Sequence, residues 1–159
     1  MLFTSSDAKF NVQLSSQAIA TIANEVIKAS VNETGGVLFG IYSLDLATAF
    51  VQYAQTAPND SKAGRTWFNR GVKGLQKLVS TYWKDKKYYL GEWHSHPYSS
   101  AEPSNQDLSQ MRQIALSLDA NCPEPILIIV GGHPNGLHFR CFVVTKKQKF
   151  ELNQINSQR

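Results

Sequence analysis

Apolar residues recur along this chain at two spacings, and the places where one gives way to the other mark its elements. Phe10, Val12 and Leu14 alternate weakly and predict a first strand over Lys9 to Leu14. Ser15 or Ser16 can cap a helix on which Ile19, Ile22, Ala23, Val26 and Ile27 return at helical spacing, ending near Val31. Gly35-Gly36 then breaks into Val37-Leu38-Phe39-Gly40-Ile41-Tyr42, a nearly unbroken apolar run of the kind found in strands covered on both faces. Ala49 to Thr56 reads as its hairpin partner, and Ala57 to Gly64 is the clearest loop. A second amphipathic helix is expected from Arg70 to Lys84 on Val72, Leu75, Leu78, Val79 and Tyr82, and a strand over Tyr88 to His96. After the loop Pro97 to Pro103, a third helix opens at Ser104 and carries Leu108, Met111, Ile114, Ala115 and Leu118. Pro125 to Val130 is rich in β-branched residues and predicts a central strand. Asn135-Gly136 predicts a tight turn into the returning strand Leu137 to Thr145, and the polar tail after Lys146 is expected to fray. The order predicts an α/β (α+β) chain, a mixed sheet with helices packed on it.

Composition narrows this picture. The 159 residues suit one domain over 1–159, long enough to bury a core without disulfides, and 42% hydrophobic with 18% charged residues fits a globular chain. No apolar run approaches the roughly 20 residues that span a bilayer, and the first residues lack a signal peptide's basic start and apolar core. The expected setting is therefore cytoplasmic, without membrane partners, and Cys122 and Cys141 are expected to be reduced thiols. The net charge of +4 gathers between Lys62 and Lys87, where Arg65, Arg70, Lys73, Lys77, Lys84 and Lys86 face only Asp85. A solvated helix face accounts for that stretch, with an acidic protein partner as the functional reading. Nucleic acid is not expected, because glycine-basic-aromatic interleaving is absent.

The chemistry lies in Gly91-Glu92-Trp93-His94-Ser95-His96-Pro97. Residues two apart on a strand share a face, so both imidazoles can reach one ion, and Pro97 is expected to stop the ladder and leave them at the sheet's mouth. Asp107 comes from the first turn of the following helix. Two histidines and a carboxylate leave a fourth position free, the form of a catalytic rather than a structural zinc site. Ser104 and Asp107 could equally be no more than a helix cap. A hydrolytic site also needs a carboxylate to move the proton of the metal-activated water. Glu92, on the histidines' face, and Glu33, just before Gly35-Gly36, are both candidates, and spacing alone does not choose between them.

Taken together, a distant glutamate, His94-Ser95-His96-Pro97, six further residues and Ser104-Asn105-Gln106-Asp107 resemble the JAMM (MPN-plus, or JAB) family of zinc isopeptidases. The resemblance implies that family's curved, cytidine-deaminase-like sheet flanked by helices. It also implies one zinc ion per chain, held by His94, His96 and Asp107. Glu33 becomes the general acid/base, and Ser104 a donor to the oxyanion of the tetrahedral intermediate. The glycines at 35 and 36 would let substrate or water come close to the metal. The implied substrates are isopeptide bonds after the tail of a ubiquitin-like protein, or of a protein conjugated in the same fashion. The compact length is most similar to bacterial stand-alone members. Some of these accompany a cGAS-like nucleotidyltransferase and E1/E2-like proteins in anti-phage (CBASS) operons, and others trim small ubiquitin-like sulfur carriers.

A non-catalytic MPN-type scaffold is the answer of another class, but such chains usually lack a ligand or the glutamate, and none is missing here. A zinc nucleoside deaminase needs His-x-Glu and Pro-Cys-x-x-Cys, whereas Cys122 stands alone before Pro123. A DNA-repair-associated relative would need a further helical portion that these residues do not supply.

Overall fold

A computed structural model describes residues 1–155. Its strands are β1 (Leu2–Ser5), β2 (Asn11–Leu14), β3 (Gly35–Tyr42), β4 (Thr48–Ala54), β5 (Lys62–Ala63), β6 (Phe68–Asn69), β7 (Tyr88–Pro97), β8 (Ile126–His133), β9 (Gly136–Val144) and β10 (Lys149–Ile155). The helices are α1 (Ser16–Ala29), α2 (Leu75–Lys84) and α3 (Asn105–Leu116). Eight strands close into a barrel in the order β1-β10-β9-β8-β7-β3-β4-β2, while β5 and β6 form a separate two-stranded ribbon. The sheet is mixed, as expected: β2 runs parallel to β4 and β7 to β8, and the other pairs are antiparallel.

The apolar run of β8 is explained by two cores. Ile126, Ile128 and Val130 join Cys141, Val143, Trp93 and the α1 residues Ala18, Ile22 and Val26. Leu127 and Ile129 join Phe142, Val144, Ala101 and Met111 beneath α3. Each strand face therefore buries its own side chains, which removes the need for polar alternation. In β7 the bulge at Gly91 (φ 147°) resets the alternation. Trp93 then points into the first core, and Glu92, His94 and His96 share the opposite face, beneath α3.

The departures from expectation have local causes. The tail does not fray over the described part, because β10 pairs with both β9 and β1. β1 was not expected from its short, half-polar sequence. The second helix begins at Leu75 rather than Arg70: Gly74 takes a left-handed conformation (φ 79°), Val72 is exposed, and Arg70 is drawn toward the interior. The lysines of this basic stretch lie at the surface, as a solvated face requires. Pro97 does not stop the ladder, since it stays in register with Gly132 and Tyr98 N–H donates to the Gly132 carbonyl. The turn after β8 is built on Pro134 and Asn135, with Gly136 already in β9. Proline at the first central position cannot adopt the positive φ of the expected Asn-Gly turn. Both cysteines are free thiols and buried.

Candidate metal centre and active site

Three elements meet at the end of β7. α3 is capped by Ser104, whose Oγ accepts from Asp107 N–H at 3.1 Å, while Asp107 Oδ2 accepts from Ser104 N–H at 2.7 Å. This reciprocal box holds the Asp107 carboxylate over β7. Ser104 Oγ also donates to Asp107 Oδ2 at 2.8 Å, so the serine both caps the helix and orients the aspartate.

Asp107 Oδ1 lies 2.8 Å from His94 Nδ1, and Oδ2 lies 3.4 Å from His96 Nε2. The two imidazoles and the carboxylate thus converge on one place. They bond to each other rather than standing apart in an open cage, and among the described residues no open cage of His, Cys, Asp and Glu occurs. The donor set still suits a metal ion in its chemistry: one imidazole nitrogen from each histidine lies within 3.4 Å of an oxygen of the same carboxylate, and His94 and Asp107 are buried.

Electrostatics follow from that crowding. Burial works against the charge on Asp107, yet bonds from His94, His96 and Ser104 hold its carboxyl far below the usual carboxylate range. Burial alone would depress His94, but Asp107 on one side and Glu92 on the other raise it to about 9. The hydrogen bond to Asp107 likewise raises His96, against its own burial.

Glu33 reaches this place from the neighbouring strand. Gly35 pairs with His94, so continuing the antiparallel register sets Glu33 opposite His96. Ser95 N–H donates to the Thr34 carbonyl at 2.8 Å, and Thr34 N–H donates to Ser95 Oγ at 2.9 Å, which ties the segment carrying Glu33 to the strand carrying the histidines. Glu33 N–H also donates to the Gly64 carbonyl at 2.8 Å. Half-burial raises the Glu33 carboxyl, while His96 and His94 draw it down and Asp107 pushes it up.

Glu92 occupies the other side of His94. Its carboxylate accepts from Arg70 Nε and Nη2, each at 2.8 Å, from Tyr89 OH at 3.2 Å and from Gln110 Nε2 at 3.3 Å. Burial would raise it, but His94 and Arg70 hold it below its ordinary value. These donors load Oε1 and leave Oε2 with Gln110 alone, on the Arg70 side of His94, whereas Glu33 is the carboxylate set opposite His96.

Two contributors carried no signal in the sequence. The loop after β4 brings Phe68 edge-on to His94, with ring centroids 5.3 Å apart, and delivers Arg70 to Glu92. Asp60 and Ser61 fasten this loop by accepting from Val72, Lys73 and Gly71 N–H. The expectation that Gly35 and Gly36 leave room for substrate is corrected. A Cβ on Gly35 would meet the Trp93 carbonyl, Phe68 and His94 within 2.8 Å, and one on Gly36 would meet the Gln55 carbonyl at 1.8 Å. The chain itself fills that space.

Residues 15–142 match the family of prokaryotic homologues of the JAB domain, so the chain belongs to that family. The peptidase class and a metal cofactor come with that membership. The chain is 49% identical over 134 residues to a protein of Enterobacter hormaechei subsp. hoffmannii (strain UCI 50) named CD-NTase/cGAS isopeptidase, covering 84% of this chain and 74% of that one. It is 29% identical over 106 residues to a probable metalloprotease of Sinorhizobium fredii (strain NBRC 101917 / NGR234), covering 64% of each. Among solved structures, a solution structure from Desulfitobacterium hafniense shares the fold at a TM-score of 0.68, with 22% identity over 88% of both chains.

Proposed function

We propose that the protein is a zinc-dependent isopeptidase that releases a cGAS-like nucleotidyltransferase, or a protein conjugated in the same ubiquitin-like fashion, from the bond at its C-terminal tail. The observation that carries this reading is the 49% identity to the CD-NTase/cGAS isopeptidase in a chain whose Glu33, His94, His96 and Asp107 meet at one place.

His94, His96 and Asp107 would hold the ion. When bound, it supplies Lewis acidity, making water acidic enough to ionise near pH ~7 and polarising the scissile carbonyl. Glu33 is suited to take the water's proton and return it to the leaving amine, because the β3–β7 register sets it opposite His96, beside the residues that would hold the ion. Ser104 supports the reading in two ways. It orients Asp107 now, and its hydroxyl can turn from Asp107 Oδ2 toward a developing oxyanion. Arg70, Tyr89 and Gln110 hold Glu92 on the other side of His94.

The test is the purified chain with a conjugated nucleotidyltransferase as substrate. Glu33→Gln is expected to retain zinc and lose turnover, while a chelator abolishes wild-type cleavage and zinc restores it. Full activity in Glu33→Gln, or in the chelated protein, would sink the proposal.

A further inference from the structure

We propose that Glu92, held by Arg70, is a positioning residue that fixes the His94 ring with Nδ1 toward Asp107 and His96 and the ring proton on Nε2. This rests on the reading of His94 as a metal ligand.

The two nitrogens of His94 have different surroundings. Nδ1 meets Asp107 Oδ1 at 2.8 Å, on the side where His96 also arrives. Nε2 is buried and has no hydrogen-bond partner, and Glu92 Oε2 stands 3.6 Å from it. Glu92 shows the complementary imbalance. Oε1 takes three donors, from Arg70 Nε, Arg70 Nη2 and Tyr89 OH, whereas Oε2 takes only Gln110 Nε2 at 3.3 Å. The unpartnered Nε2 thus faces the less satisfied oxygen of a fully buried carboxylate, and with a proton on Nε2 an approach of about half an ångström makes the pair a hydrogen bond. A histidine ligand whose far N–H is held by a carboxylate keeps one tautomer and one orientation.

The rest of the shell leaves the ring little freedom. Phe68 stands edge-on to it, and Arg70 lies two residues further along the same loop. Arg70 also donates from Nη1 to the Gly71 carbonyl at 2.8 Å, so its guanidinium is fixed from both ends. Guanidinium geometry matters here, since the single charge point of a lysine could not supply the Nε and Nη2 donors together.

The experiment uses the full chain, titrated with zinc against a chromophoric chelator and melted in parallel. Glu92→Gln is expected to lower zinc affinity roughly 10- to 100-fold. Arg70→Met/Glu92→Met removes both charges and is expected to melt above Arg70→Met alone while its zinc affinity stays as low as that of Glu92→Gln. Recovery of wild-type zinc affinity in the double variant would show a merely structural pair and overturn the proposal. If Glu92→Gln does not fold, nitrogen NMR of the zinc-loaded wild type decides: metal on Nδ1 of His94 with a proton on Nε2 is expected, and metal on Nε2 overturns it. A wild type that takes up no zinc removes the reading of His94 as a ligand and this inference with it. Zinc-binding wild type with unchanged affinity in Glu92→Gln overturns this inference alone.

Discussion

Replacing Ser95 by alanine isolates the link between the strand of the histidines and the segment of Glu33. Ser95 is fully buried, and its Oγ accepts from Thr34 N–H at 2.9 Å. Without that oxygen the amide has lost its acceptor in a place closed to water, which costs about 1–3 kcal/mol. The Ser95 N–H bond to the Thr34 carbonyl remains, so the strands stay paired. At this chain length each kcal/mol moves the melting point by about 2–4 °C, giving a fall of roughly 2–12 °C. The side chains proposed to hold zinc are untouched, so zinc affinity should stay within about two-fold (about 0.4 kcal/mol). Glu33 adjoins Thr34, so kcat is expected to fall more than KM rises. Ser95→Thr keeps the hydroxyl and should recover most of the turnover. The assay is thermal denaturation of the zinc-loaded protein beside steady-state cleavage of a conjugate. A Ser95→Ala protein with wild-type melting point and kcat would refute the reasoning.

Gly35→Ala forces a Cβ against Phe68 and His94, so a loss of about 1–3 kcal/mol and weaker zinc binding are expected by melting and chelator competition, whereas Gly136→Ala, whose Cβ meets nothing, should match wild type. Ser104→Ala removes the cap of α3 and a bond to Asp107, with an expected loss of about 0.5–2 kcal/mol in chemical denaturation and a lower zinc affinity. Burial pushes the Cys122 thiol up from 9.0 to about 12, so above pH 9 the unfolded chain ionises first and stability falls with rising pH, by up to about 1.4 kcal/mol per unit until pH 12. Urea melts across that range should show a shallower fall in Cys122→Ala, and iodoacetamide at pH 8.5 should label neither cysteine until the protein unfolds.

Much of the site was legible because its spacing follows element geometry. His94 and His96 share a strand face and Asp107 sits at the third position of a capped helix, and both relations are local. Glu33 is different in kind. Only pairing between β3 and β7 brings it opposite His96, and nothing near residue 33 announces that register. Arg70 shows why the second helix was overextended: it fits a helical pattern, but a buried bond to Glu92, 22 residues away, outweighs that local preference. β10 was missed because its pattern is polar, with only Leu152 fully buried. Its strand state comes from backbone bonds to two neighbours, which side-chain periodicity does not report.

Closure of the eight-stranded sheet has a consequence for how this scaffold can diversify. Each of its strands has a neighbour on both sides, so the barrel offers little open edge for aggregation or for an added strand. Among the described residues, β5 and β6 form the one ribbon outside it, joined to the Glu33 segment through the Gly64 carbonyl. Changes in that ribbon leave the barrel's pairing intact. Its exposed positions Lys62, Ala63 and Asn69 can therefore vary at little cost to folding, whereas Phe68 is fixed by its packing on His94 and Gly35.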